Sequence, residues 1–341
     1  MPDLRFNCLP TIIGSMPHTD PVKACSLVAE YLKDIPAWPQ LPKRSFKESM
    51  CAQFSQGFPG IVVTENSIYT DRSQDWDEPL EELYTAYLEN NVDRYPVGAD
   101  YAAGLHTFLS LENLSPRSAK GQVTGPISFG LTVTDDSKRA ILYDDMLSDA
   151  AAKLLRLKAG WQEKMLAKIS KNTIIFIDEP AMSSYGSAFF SLPRDKVISL
   201  LEEVLGGIGG LKGIHCCGNT DWSLILGTST NIISFDAYNY AQSFTLYPAE
   251  AKKLLDRNGA IAWGIVPNNE DNLVSETVSS LKDRLEEAMV PFTRKGIPFK
   301  QLIEQSLLTP SCSLASLTEE ASAQVLELLS ELSANIRKRY G

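Results

Sequence analysis

Only three histidines occur in this chain of 341 residues, and its six cysteines are scattered from position 8 to position 312. Cysteines so few and so spread do not make a secreted disulfide framework; they are expected as reduced thiols. Basic residues are outnumbered, 32 Lys and Arg against 42 Asp and Glu, for a formal net charge of −10. No basic face is evident, which argues against a nucleic-acid partner. No run of about 18 apolar residues occurs, so no membrane span is expected. The opening "MPDLRFNCLP" lacks a basic region followed by an apolar stretch, so it is not a signal peptide. Short-period repeats and low-complexity linkers are also missing. Together these absences give the expectation of a cytoplasmic protein that binds neither nucleic acid nor membrane. Its oligomeric state is left open.

What is present is ordinary globular composition, 44% hydrophobic and 22% charged, at a length that one large α/β barrel can fill. Short β-rich runs recur: "TIIGS" (11–15), "GIVVTE" (60–65), "GQVTGP" (121–126), "TIIFIDEP" (173–180), "LKGIHCCG" (211–218), "NIISFDA" (231–237), "AIAWGIVP" (260–267) and "LLTPSC" (307–312). Several are almost continuously apolar, as parallel strands buried on both faces are. Between them lie amphipathic helical patterns at 21–34, 144–170, 194–206, 248–259, 275–289 and 318–341. Asp20 followed by Pro21 makes a helix start. The expected fold is therefore α/β, a single (β/α)8 barrel over residues 1–341, with a possible lid or accessory helical segment at about 66–115.

In such a barrel the active site is assembled where the strands end. Here those ends carry Gly14–Ser15, Glu65, Gly125–Pro126, Asp178–Glu179, His215 with Cys217, Asp236, Asn268 and Cys312. Side chains two apart on a strand share a face, so His215 and Cys217 face the mouth together and Cys216 faces away. Cys312 offers a second thiolate and Asp236 a carboxylate; zinc takes such a set in a tetrahedron. Plain alternatives stand beside each assignment. A "HCC" run is also the signature of packed cysteines and a satisfied histidine, Asp236 is equally placed to cap a helix, and the acids of "IDEP" are as well suited to capping the next one.

Taken in order, "TIIGSMPHTDP", "VTGPISFG", "FIDEPAM", "IHCCGN" and "LTPSCSL" resemble motifs of the catalytic domain of cobalamin-independent methionine synthase, from about residue 11 to 316. The resemblance implies a (β/α)8 barrel whose Zn2+ binds homocysteine through sulfur. It implies His215, Cys217 and Cys312 as metal ligands, with Asp236 where the family has a glutamate. It also implies Ser15 at the substrate carboxylate, and Asp178 and Glu65 at the amino group. The chain starts shortly before the first strand and is similar to the short core form of the family, which implies a methylated corrinoid or corrinoid protein as methyl donor. Loops at 38–46 and 71–84 would then be docking or lid loops, or plain surface loops.

The chemistry of the residues agrees. A bound cation lowers a thiol's pKa, and two acids suit an α-ammonium group. The expected activity is a zinc-dependent methyltransferase forming methionine from homocysteine. Its rivals are another zinc-dependent thiol or corrinoid methyltransferase of the superfamily, and a non-catalytic zinc- and corrinoid-binding partner. A uroporphyrinogen decarboxylase-like barrel would need cationic groups at the mouth in place of the thiols.

Overall fold

A computed structural model of the chain describes residues 5–187 and 190–341. The strands are β1 (Leu9–Pro10), β2 (Ile61–Val63), β3 (Ile68–Thr70), β4 (Ala119–Thr124), β5 (Thr173–Asp178), β6 (Leu211–Cys216), β7 (Ile232–Phe235), β8 (Ala260–Val266) and β9 (Ser306–Pro310). Seven of them form one curled, all-parallel sheet in the order β1-β9-β8-β7-β6-β5-β4. Helices fill the intervals, as parallel strands require. Helix starts match local chemistry. Asp20 accepts from Val22 N and Lys23 N ahead of Pro21–Tyr31, and Asp144 accepts from Met146 N and Leu147 N ahead of Asp145–Leu166.

Two expectations need correction. Eight regular strands were expected and seven are found in the main sheet. "GIVVTE" supplies β2, which pairs antiparallel with β3 in a separate hairpin. A short apolar run has the same pattern in a hairpin as in a buried strand, so periodicity does not separate the two. In addition, the regular part of the first strand ends at Pro10, before the expected 11–15.

Where an eighth strand would lie, residues 36–40 ("PAWPQ") bridge both edges of the sheet. Lys120 N donates to Pro36 O (3.0 Å) and Trp38 N to Lys120 O (3.3 Å), while Gln40 N donates to Gly14 O (3.0 Å). Gln40 N thus turns away from β4, and the ladder with β4 stops before Gln122. Gln162, from the helix Asp145–Leu166, fills the break. Its Nε2 donates to Gln122 O (2.9 Å), and its Oε1 accepts from Gln122 N (2.9 Å) and Trp38 Nε1 (2.7 Å). A side-chain amide thus replaces a strand's N–H and C=O. Gly121 lets it approach, since a Cβ there would lie 1.8 Å from Gln162 Oε1.

Residues paired in a parallel ladder share a face. The interior row therefore runs from Leu9, Ile174, Ile232 and Leu307, all buried, up to Asp178, His215 and Asp236 at the strand C-termini. Apolar floor and polar rim are successive residues of the same strands. The outer faces pack against the helices. There Phe235, Phe244, Trp263 and Phe292 stack at centroid distances of 4.4–6.3 Å and fix the helices Ala237–Phe244 and Val278–Arg294 on the sheet.

Segment 66–115 holds β3 and the helices Asp77–Leu88 and Ala103–Leu109. The hairpin is pinned by Thr70 N to Thr134 O (2.8 Å) and by Arg72 Nη2 to Asp144 Oδ2 (2.9 Å). Among the described residues, no helix is long and apolar enough to cross a membrane.

Candidate metal centre

β6 delivers His215 one residue before its end, and the chain leaves the strand at Cys217. β9 ends at Pro310, and the turn that follows carries Cys312. One donor atom from each of His215, Cys217 and Cys312 lies within 4.8 Å of the other two, and His215 Nε2 is 3.7 Å from Cys312 Sγ. Histidine is buried and both thiols are half-buried, so the group faces the mouth. Hydrogen bonding from Cys312, and then His215, holds the Cys217 thiol far below its ordinary range, at about 4. The Cys312 thiol is pushed up by that same bond and by burial. One thiolate sharing a proton with its neighbour is the state expected of two soft donors in contact. Cys216 behaves oppositely: it is wholly buried, its Sγ lies 3.6 Å from Gly218 O, and burial pushes it up to about 12.

The two acids of "IDEP" part at the strand end. Asp178 turns inward beside His215, its partner in the β5–β6 register. Its Oδ1 is buried without a hydrogen bond, and burial pushes the carboxyl up to about 6 against the pull of His215 and Lys120. Glu179 turns outward and caps the helix Pro126–Thr132, accepting from Ile127 N (2.9 Å), Ser128 N (2.8 Å) and Ser128 Oγ (2.6 Å). Capping is thus Glu179's role, although the capped helix precedes it in sequence.

Asp236 N-caps the helix Ala237–Phe244. Oδ1 accepts from Asn239 N (2.9 Å) and Oδ2 from Asn239 Nδ2 (2.7 Å). It lies near enough to Cys217 and His215 to feel their charges but is not one of the three clustered donors. Ser15 is half-buried. Its Oγ donates to Gln40 Oε1 (3.3 Å) and its carbonyl accepts from Leu314 N (3.0 Å), so it sits against the turn that carries Cys312. Close packing holds this corner, since a Cβ on Gly14 would meet Gln122 and Gln40 at 2.6 Å. Glu65 lies in the exposed turn of the β2–β3 hairpin, outside the main sheet.

Sequence reasoning missed two residues. Ser234 Oγ lies 3.0 Å from His215 Nδ1. The alternation in "NIISFDA" puts 234 and 236 on one face, but only the register shows which neighbour they meet. Lys120 is wholly buried in the sheet interior. Its Nζ donates to Ile13 O (2.7 Å) and lies 4.3 Å over the Phe176 ring, and burial brings its pKa down to about 7. A lone lysine in "AKGQVT" gives no sign of that.

No family model matches this chain, and no curated protein matches it. Among solved structures, a B12-independent methionine synthase from Shewanella sp. W3-18-1, in complex with selenomethionine, matches with a TM-score of 0.57. Identity is 15%, and the match covers 97% of this chain and 98% of that one. The likeness is one of fold. A GH113 beta-mannanase from Alicyclobacillus acidocaldarius also matches, at a TM-score of 0.36 and 10% identity, too low to support an argument.

Proposed function

We propose that this chain is a zinc-dependent methyltransferase that methylates the homocysteine thiolate to give methionine. One observation supports it above the others, the spacing of the three donors. A tetrahedral ion with Zn–S near 2.3 Å and Zn–N near 2.05 Å needs sulfur and nitrogen about 3.6 Å apart. His215 Nε2 and Cys312 Sγ are 3.7 Å apart, with Cys217 Sγ in the same cluster. One nitrogen and two thiolates are a zinc set, and three protein donors leave a position for a substrate, as catalytic sites do. A zinc ion held there would lower the pKa of an incoming thiol and keep it as thiolate.

The chain's own groups fit an amino acid bearing that thiol. Asp178 Oδ1, buried and unpartnered beside His215, is the acceptor for an α-ammonium group. An ionised partner there replaces the water that burial removed, and charge-assisted hydrogen bonds are the strong ones. Ser15 is our choice for the substrate carboxylate, since it adjoins the Cys312 turn. A part for Glu65 requires the β2–β3 hairpin to fold over the mouth. Asp236 would serve as a fourth ligand through a lone pair its hydrogen bonds to Asn239 leave free. We keep a methylated corrinoid as the proposed donor, as the family resemblance implies; the B12-independent neighbour gives it no support.

The reading is tested by metal analysis of the purified chain and of Cys217→Ser. Zinc near one equivalent in the wild type and its loss in the variant are expected; equal zinc in both would sink the ligand assignment. Methionine formation is then measured with methylcobalamin, methylated corrinoid protein and methyl-folate in parallel. Turnover with methyl-folate alone would overturn the donor. Turnover with coenzyme M but not homocysteine would overturn the acceptor. Zinc and carrier binding without methionine would mark a non-catalytic partner.

A further inference from the structure

His215 presents one ring nitrogen to each side. Nε2 faces Cys312 Sγ at 3.7 Å, and Nδ1 faces Ser234 Oγ at 3.0 Å. A neutral imidazole carries one N–H and one lone pair, and the partner of one nitrogen decides which lone pair is free. Ser234 is the direct register partner of His215 between β6 and β7, so sheet pairing sets the contact. On its other side Ser234 pairs with Ala262, whose side chain offers nothing to a hydroxyl. The serine is wholly buried, in a strand whose neighbours Ile232, Ile233 and Phe235 are apolar. A buried hydroxyl in such a strand costs stability unless it is hydrogen-bonded, and His215 supplies its bond.

We infer that Ser234 is a positioning residue for the metal centre. Its oxygen accepts the Nδ1 proton, which keeps His215 in the tautomer with Nε2 bare and holds the ring turned toward the two thiols. Ligating histidines depend on such partners for both orientation and basicity. The inference rests on the reading of His215, Cys217 and Cys312 as metal donors.

The test uses the full chain, stripped of metal and titrated with Zn2+ against a chromophoric chelator of known affinity. Ser234→Ala is expected to bind Zn2+ about 10–100-fold more weakly. Ser234→Thr keeps Oγ and is expected to recover most of that loss. Metal-free Ser234→Ala should unfold at a somewhat lower urea concentration than metal-free wild type, since His215 Nδ1 loses its buried partner, and Ser234→Thr should recover that too. Equal Zn2+ affinity in wild type and Ser234→Ala overturns the inference. So does a weaker affinity that threonine fails to restore and that comes with lost metal-free stability, because that is a packing defect. Wild type that takes up no Zn2+ overturns instead the metal reading beneath it.

Discussion

Replacing Gln162 by leucine tests whether a side chain carries part of the sheet's hydrogen bonding. Leucine is close to glutamine in volume, so the change opens little cavity. It leaves Trp38 Nε1–H, Gln122 N–H and Gln122 C=O without the partners they hold at 2.7, 2.9 and 2.9 Å. All three residues are wholly buried, so water does not replace the lost bonds. Each orphaned group costs about 1–3 kcal/mol, and three give a loss of at least about 3 kcal/mol. Urea unfolding measures the total, and amide exchange locates it: the Gln122 N–H should lose more protection than the amides of β7 and β8. Trp38→Phe removes one donor and should cost about 1 kcal/mol. In a double-mutant cycle the pair should couple, because they share one carboxamide. A Gln162→Leu variant within about 1 kcal/mol of wild type, with unchanged exchange at Gln122, would refute the reasoning.

Further outcomes follow from buried groups. Burial alone brings Lys158, whose Nζ donates to Pro96 O at 3.0 Å, down to about 7 from an ordinary 10.5. Between those values the unfolded chain binds the proton that the folded chain has lost, so stability rises with pH. Relative to Lys158→Met, the wild type should gain about 2 kcal/mol from pH 7 to pH 9, the slope approaching about 1.36 kcal/mol per unit as the folded group loses its proton; a difference in urea stability that is flat with pH would contradict this. Glu179→Ala should destabilise by about 2–4 kcal/mol, since it uncaps Ile127 and Ser128 and leaves a buried gap; calorimetry of the metal-free chain reads it. Asp236→Ala should lower stability by about 1 kcal/mol as a lost cap while zinc content holds; loss of zinc would restore Asp236 as a ligand.

Much of this was legible in the chain. The runs read at 121–126, 173–180, 211–218, 231–237, 260–267 and 307–312 overlap six parallel strands; most are rich in apolar residues because both their faces are buried, although 119–124 carries Lys120 and Gln122 inside. The two-residue period separated Cys216 from His215 and Cys217, since it depends only on strand geometry. The seam at 36–40 was hidden for a different reason: the gap in its ladder is filled by Gln162, more than a hundred residues downstream. Glu65 was expected at a barrel strand end because a hairpin run has the same pattern. Asp236 stood open between ligand and cap in the sequence, and in the structure Asn239 holds both its oxygens.

The apolar floor beneath the rim has a consequence for traffic. Leu9, Ile174, Ile232, Ala260 and Leu307 leave at most 3% of their surfaces open, and Phe6 packs in the same cluster. Among the described residues, the strand interior beneath the rim is packed apolar at that end. In the reaction proposed above, methyl donor and acceptor both come in from the strand C-terminal side. Under the proposed reaction, the mouth loops set the order of arrivals and departures, and the strand interior has no part in it.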